Sequence, residues 1–179
     1  MSDDDISKKR ENQPMLKPKI EKVVVNISVG KSGEPLEKAV KVLKEIAGQT
    51  PCRRKAKESV RDFNIRKGES IACIVTLRKE KAVDFLNKVL PVIDKKLSGR
   101  CFDRQGNFSF GIKEHIELPG VKYDPDVGIF GMDVCVSVTR PGYRVKTRRR
   151  RRSKLGTKHV LTPEESMAFA KETLGVEIL

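Results

Sequence analysis

The sequence predicts an α+β fold: a mainly antiparallel sheet with helices packed on one face, extended by a basic arm and a short C-terminal helix. Three observations carry this reading. Residues 20–29, 70–79 and 132–139 alternate apolar and polar side chains with a period of two, as half-buried strands do. Residues 34–47 and 80–97 instead repeat apolar side chains at three- and four-residue spacing, as amphipathic helices do. The excess positive charge sits outside these periodic stretches, in two short segments.

Taken in order, residues 1–14 read as a polar flexible tail. In residues 20–29, Val23, Val25, Ile27 and Val29 share one face, and Lys22, Val24, Asn26 and Ser28 share the other. The helix at 34–47 has Pro35 in its first turn, an apolar stripe of Leu36, Ala39, Val40, Leu43 and Ile46, and Gly48 as its stop. A basic loop at 53–68 ends at Gly68. The strand after it sets Ile71, Cys73, Val75 and Leu77 against Ala72, Ile74, Thr76 and Arg78. The second helix, 80–97, has the stripe Ala82, Phe85, Leu86, Val89, Leu90, Ile93 and Leu97, with Pro91 expected to kink or break it. Residues 98–106 read as loop. Residues 107–112 read as a strand with Phe108, Phe110 and Ile112 on one face. Leu118-Pro119-Gly120 and Asp124-Pro125-Asp126 are loop signals. In residues 132–139, Met132, Val134, Val136 and Val138 oppose Asp133, Cys135, Ser137 and Thr139. Thr162-Pro163-Glu164-Glu165 is a capping box that opens a helix ending at Gly175. The expected organisation is a tail at 1–14, a core at 15–139 containing the basic loop, an arm at 140–161, and a helix and tail at 162–179.

Composition excludes several classes of function. The chain has 179 residues, enough for one domain with appendages. Its apolar runs are too short to span a membrane. The acidic start, Asp3-Asp4-Asp5, lacks the apolar core of a secretory signal, so a cytoplasmic location is expected. Cys52, Cys73, Cys101 and Cys135 are widely spaced with no CxxC pair, so neither a zinc site nor a disulfide framework is expected. Cys73 and Cys135 lie in apolar strands, where a reduced thiol acts as a small hydrophobe. His115 and His159 stand outside any ligand motif, and His115, between charged neighbours, is expected at the surface. Val29-Gly30-Lys31-Ser32 resembles the end of a phosphate loop, but the first glycine of that motif would fall on Val25. Gly106–Gly111 suggests an RNA-recognition signature, yet Gln105 replaces its basic residue, and Phe108 and Phe110 suit a core. No catalytic group, cofactor, metal or small-molecule substrate is implied.

The charge is more informative. Lys and Arg number 38 against 24 Asp and Glu, a formal net charge of +14. Residues 140–158 hold ten bases and no acid, and residues 53–67 hold seven bases and two acids. The other 21 bases and 22 acids nearly cancel. Five successive arginines repel one another unless a polyanion lies alongside, and arginine suits bidentate phosphate contact. A nuclear-import cluster would not account for the second segment. A membrane patch would bring a large apolar face or a lipid anchor, and neither adjoins the run. Nucleic acid is the expected partner. With only Val145 and Leu155 as aliphatic residues, the span 140–158 is expected to be disordered alone and ordered along RNA.

A set of motifs occurs in order along the chain: residues 22–30 (KVVVNISVG), Gly48-Gln49-Thr50-Pro51, residues 55–68 (KAKESVRDFNIRKG), Val75-Thr76-Leu77-Arg78, residues 102–111 (FDRQGNFSFG), Leu118-Pro119-Gly120 and Tyr123-Asp124. Together they resemble the large-subunit ribosomal protein five family, over about residues 15–139. Arg140-Pro141-Gly142-Tyr143, the basic run and Lys158-His159 with Glu164-Glu165 resemble its archaeal and eukaryotic branch. The resemblance implies binding of 5S ribosomal RNA in the central protuberance through polar residues on one sheet face, here Asn26, Gln49 and Thr76. It implies that a loop matching Lys55, Lys57, Ser59, Phe63, Asn64 and Arg66 reaches peptidyl-site transfer RNA, that loop being expected to order only on that RNA. It also implies contact with 23S-type ribosomal RNA and with neighbouring ribosomal proteins, including a small-subunit head protein in an intersubunit bridge. Arg144, Lys146, Arg148, Arg149, Arg150, Arg151, Arg152 and Lys154 are the RNA-binding candidates of the arm. The competing reading is a free-standing RNA-binding or RNA-chaperone protein, with a nucleotide-using enzyme a distant third.

Overall fold

The computed structural model describes residues 13–121 and 124–179. Its principal sheet has five strands in the order β2-β3-β1-β6-β5, every neighbouring pair antiparallel. The strands are β1 (Lys19–Ser28), β2 (Cys52–Lys55), β3 (Ser70–Leu77), β5 (Phe108–Ile112) and β6 (Met132–Thr139). Two helices, α1 (Glu34–Ala47) and α2 (Glu80–Val89), pack on one face. A second, two-stranded parallel sheet joins β4 (Lys96–Leu97) to β7 (Glu177–Ile178) and ties the C-terminal segment to the body. A four-residue helix, α3 (Arg144–Thr147), and the terminal helix α4 (Pro163–Leu174) complete the fold.

Strand parity builds the core. Val23, Val25 and Ile27, then Cys73, Val75 and Leu77, then Met132, Val134, Val136 and Val138, are all buried against one another. Phe108 and Ile112 extend this layer on β5, while Phe110 is half-buried against it. The helices close over it with Leu36, Ala39 and Leu43 and with Ala82, Phe85, Leu86 and Val89. Each Val, Leu, Ile, Phe or Met side chain so removed from water contributes roughly 1.5–3 kcal/mol. Burial pushes the Cys73 thiol up to about 11, so it is an inert core group. Gly48 ends α1 in the left-handed region at φ 59° and returns its N–H to the Lys44 carbonyl. The capping box at Thr162 is complete: its hydroxyl accepts from the Glu165 N–H, and the Glu165 carboxylate accepts from the Thr162 N–H.

Five expectations are corrected. The α1 stripe is wider than Leu36, Ala39, Val40, Leu43 and Ile46, because Val42 is also buried. Helix α2 stops at Val89 and tightens into a 3₁₀ turn over Leu90–Ile93, since Pro91 brings no N–H to an α-helical ladder. Leu97 is therefore buried from β4 and not from a helix. Cys135 is exposed, because its parity places it opposite the core. His115 is buried at 3% exposure. Its backbone N–H donates to the Phe130 carbonyl at 3.0 Å, and its Nδ1 accepts from the Phe130 N–H at 3.2 Å. The side chain thus clips the two ends of the 113–131 connection.

Candidate nucleic-acid interface

The face of the sheet opposite α1 and α2 carries the alternate residues of every strand. Register places Arg54, Ala72 and Ser28 in one row across it, and Cys52, Ile74, Asn26, Asp133 and Gly111 in the next. Thr76, Val24, Cys135 and Ser109 form a third row, and Lys22 and Ser137 a fourth. Ser28, Cys52, Arg54, Ser109, Gly111, Asp133 and Cys135 are exposed, and Asn26 and Thr76 are half-buried. The face is therefore uncovered by helices and made of small, mostly uncharged side chains. A rigid nucleic-acid surface can approach such a face closely and find hydroxyl and amide partners there.

Asn26 and Thr76 stand on this face in adjacent rows of neighbouring strands, as strand parity predicts. Gln49 is exposed in the turn between α1 and β2. That turn enters β2 at Cys52, which pairs with Ile74, two residues before Thr76. Asn26 and Thr76 thus share the open face, and Gln49 stands in the turn that leads into the neighbouring edge strand.

The basic loop leaves the sheet as a hairpin. Val60 and Ile65 exchange two backbone hydrogen bonds, 2.9 and 3.1 Å long, around the turn at residues 61–64. Ser59 Oγ accepts from the Lys67 N–H at 2.8 Å, and Ala56 donates to the Glu69 carbonyl at 2.8 Å. The Glu69 carboxyl is held below its ordinary value first by the Ser32 hydroxyl and then by the Arg66 N–H. Phe63 projects from the tip at 71% exposure, next to Asn64 at φ 54°. Lys55, Lys57 and Arg66 are exposed along its sides. Arg53 is spent differently: it faces the helix layer and pairs with Glu37 of α1 at 2.7 Å.

The arm is fixed at both ends, which its composition alone does not suggest. Arg140 is buried, donating from Nε to the Leu16 carbonyl at 2.8 Å and from Nη2 to Glu165 at 2.7 Å. Partial burial would raise the Glu165 carboxyl, but the Thr162 N–H and the Arg140 guanidinium outweigh it and hold it below the ordinary value. The Tyr143 hydroxyl accepts from the Leu161 N–H at 2.9 Å, and the His159 ring nitrogen meets the Pro141 carbonyl at 2.8 Å. Residues 148–156 between these anchors have no helix or strand. Within them Arg148 Nε donates to the Arg151 carbonyl at 2.7 Å, and the Ser153 N–H bonds the Val145 carbonyl at 3.2 Å. Arg144, Lys146, Arg148, Arg149, Arg150, Arg151, Arg152 and Lys154 are all exposed. Among the described residues, the ion pairs use Lys38, Lys41, Arg53 and Arg140 as their cations, so these eight charges are left for an outside anion.

Sequence reasoning missed Arg54, Lys19 and Lys22 as members of the open face. Parity within β2 marks Arg54, and parity within β1 already set Lys22 beside Asn26 without marking it as a binding residue; Lys19 depends on an irregularity of β1 that no sequence pattern signals. The Tyr123 of the sequence motif lies outside the described residues.

Comparison with known proteins places the chain in a family. Residues 13–66 match the family model described as Ribosomal protein L5, and residues 70–169 match the model for the C-terminus of that ribosomal family. A protein of Pyrobaculum aerophilum named large ribosomal subunit protein uL5 is 56% identical over 165 residues, 92% of each chain. The protein of that name from Aeropyrum pernix is 51% identical over 91% of this chain and 85% of its own. The one from Nitrosopumilus maritimus is 44% identical over 92% and 95%. The chain belongs to the ribosomal protein L5 family, whose members are structural and non-enzymatic.

Proposed function

We propose that this protein is a structural constituent of the large ribosomal subunit that binds 5S ribosomal RNA with the open face of its sheet. The observation that supports this most directly is the uncovered face itself, small and polar, with Asn26 and Thr76 in adjacent rows and Gln49 at its side. The basic hairpin, with Lys55, Lys57, Ser59, Phe63, Asn64 and Arg66, contacts peptidyl-site transfer RNA. The arm lies along 23S-type ribosomal RNA, and neighbouring ribosomal proteins, including one of the small-subunit head, complete an intersubunit bridge. The protein works on the ribosome in the cytoplasm; among the described residues no helix is long and apolar enough to cross a membrane.

Asn26→Leu tests the 5S surface. The side chain is half-buried on the open face, so the fold is expected to tolerate the change with little shift in melting temperature. Affinity for purified 5S RNA is expected to fall by about 1–3 kcal/mol, the cost of leaving an RNA polar group unpaired. Unchanged affinity in Asn26→Leu, Gln49→Ala and Thr76→Val alike would sink this assignment.

The hairpin makes a separable prediction. Replacing Lys55, Lys57 and Arg66 with glutamine removes three exposed charges and no backbone bond. Binding of 5S RNA is expected to stay within about twofold, while retention of peptidyl-site transfer RNA on reconstituted ribosomes declines. Collapse of 5S binding in this variant would assign the loop to the 5S surface instead.

A further inference from the structure

Strand β1 pairs with β6 in one register up to Lys22↔Ser137 and in another from Ile20↔Val138 onward, leaving Glu21 unpaired as a β-bulge. A bulge resets which side chains face which way. Opposite Val138, Ile20 turns toward the core; opposite Thr139, Lys19 turns to the open face and joins Lys22 there. Uninterrupted alternation would have sent Lys19 inward. The irregularity therefore gathers two lysines at one end of the open face.

Helix α3 stands across from them with Arg144 and Lys146. Between the two sides lies a recess of about 550 Å³, within the roughly 300–1,000 Å³ of small-ligand sites. Of the cations lining it, Lys19, Arg144 and Lys146 are exposed, Lys22 is half-buried beside Ser137 and Asn107, and Arg140 is buried and already bonded to Leu16 and Glu165. The Asn107 amide is oriented by donating to the Asp103 carboxylate at 3.0 Å, which leaves its carbonyl oxygen as an acceptor. Lys146 reaches Gln105 at 3.4 Å beside the recess. The bulged Glu21 is the one acid among the residues lining it. The Lys22 and Ser137 row directly follows the Thr76 and Val24 row, so the recess continues the open face.

We propose that this recess receives one unstacked nucleotide of the RNA lying on the open face, with its base against Ser137 and Asn107 and its phosphate among Lys19, Lys22 and Arg144. The inference rests on the reading of that face as an RNA surface. A stacked duplex presents its phosphates outward and is matched by a flat basic patch. A concavity that sets half-buried hydroxyl and amide groups beside several exposed cations matches a single splayed nucleotide, the form in which base edges become readable in RNA.

Ser137→Trp fills the recess from the open face. Wild type and variant are mixed with purified 5S RNA, and affinity and the 2′-hydroxyl acylation reactivity of each nucleotide are measured. Wild type is expected to make one nucleotide inside its footprint hyper-reactive. Ser137→Trp abolishes that signal and weakens binding about 5- to 150-fold, the scale of losing one base contact, with the rest of the footprint kept. The double variant Lys19→Gln, Lys22→Gln, which alters no core residue, is expected to lose the same signal and carries the test if the tryptophan variant misfolds. A bound wild type with no hyper-reactive nucleotide, or variants that bind and react as wild type does, overturns the recess alone. Wild-type protein that does not bind 5S RNA overturns the reading of the face and the recess with it.

Discussion

Replacing Arg148, Arg149, Arg150, Arg151 and Arg152 together with glutamine is expected to remove most of the salt dependence of ribosomal RNA binding. All five are exposed, and none has an acidic partner among the described residues. An arm that neutralises about six phosphates of a duplex displaces their condensed counterions, giving a log–log slope near −5. Wild-type affinity then falls about a thousandfold between 50 and 200 mM salt. If the five arginines supply five of those six contacts, one contact remains, the slope is about −1 and the loss over the same range is about fourfold. The fold is expected to survive: the variant loses the bond from Arg148 Nε to the Arg151 carbonyl but keeps the main-chain bond of Ser153 to Val145 and the anchors at Arg140, Tyr143 and His159. Affinity measured at four or five salt concentrations decides the matter. Equal slopes in both proteins would mean that the run faces protein or solvent.

The arm also shows where sequence reasoning reaches its limit. Ten bases without an acid, at residues 140–158, predict a span that cannot fold on itself. Arg140 departs from this because its partners, the Leu16 carbonyl and Glu165, lie 124 and 25 residues away. His115 fails for the same reason: within the charged segment Lys113-Glu114-His115-Ile116-Glu117 it reads as surface, and only the return of the chain to Phe130 buries it. Local periodicity was sufficient wherever one element decides its own burial. Strands β1, β3 and β6 alternate into the core as their residues alternate, and α1 runs from Glu34 to Ala47 as its stripe and Gly48 indicate. The same alternation placed Asn26 and Thr76 on the open face. Gln49 came from family resemblance, since a turn has no period to read. Lys19 was invisible because a bulge is a property of two paired strands and not of one.

Gly106→Ala is expected to be among the most destabilising of conservative changes in this chain, by about 2–4 kcal/mol. Gly106 sits at φ +75°, where an L side chain costs about 1–2 kcal/mol. A Cβ there would lie 2.8 Å from Leu161 Cδ2 and 3.1 Å from both Leu161 Cγ and Ser166 Cβ. Leu161 and Ser166 are themselves fully buried, so neither can swing aside, and overpacking of this kind adds about 1–3 kcal/mol. The main chain is held as tightly: the Gly106 carbonyl accepts from the Ser166 hydroxyl, and the Asp103 carboxylate accepts the N–H groups of Gln105 and Asn107. Burial would raise the Asp103 carboxyl, but the Asn107 and Gln105 bonds and the Lys146 charge outweigh it and keep it below its ordinary value. At roughly 2–4 °C per kcal/mol for a chain of this size, the melting temperature drops by about 5–15 °C. Gly128→Ala supplies the comparison, since Gly128 has φ +83° with nothing within 4 Å of a Cβ. It carries the backbone strain without the clash and is expected to lose only a few degrees. The difference between the two drops measures how firmly the start of α4 is seated on the 103–107 turn. Leu161 is where the arm returns to the body, so the contact also sets where the arginines stand. Gly106→Ala is accordingly expected to weaken RNA binding while leaving its salt slope intact, because every cation is retained. Equal melting temperatures in the two glycine variants would show that the turn yields freely and that the arm is positioned by the bonds of Arg140, Tyr143 and His159.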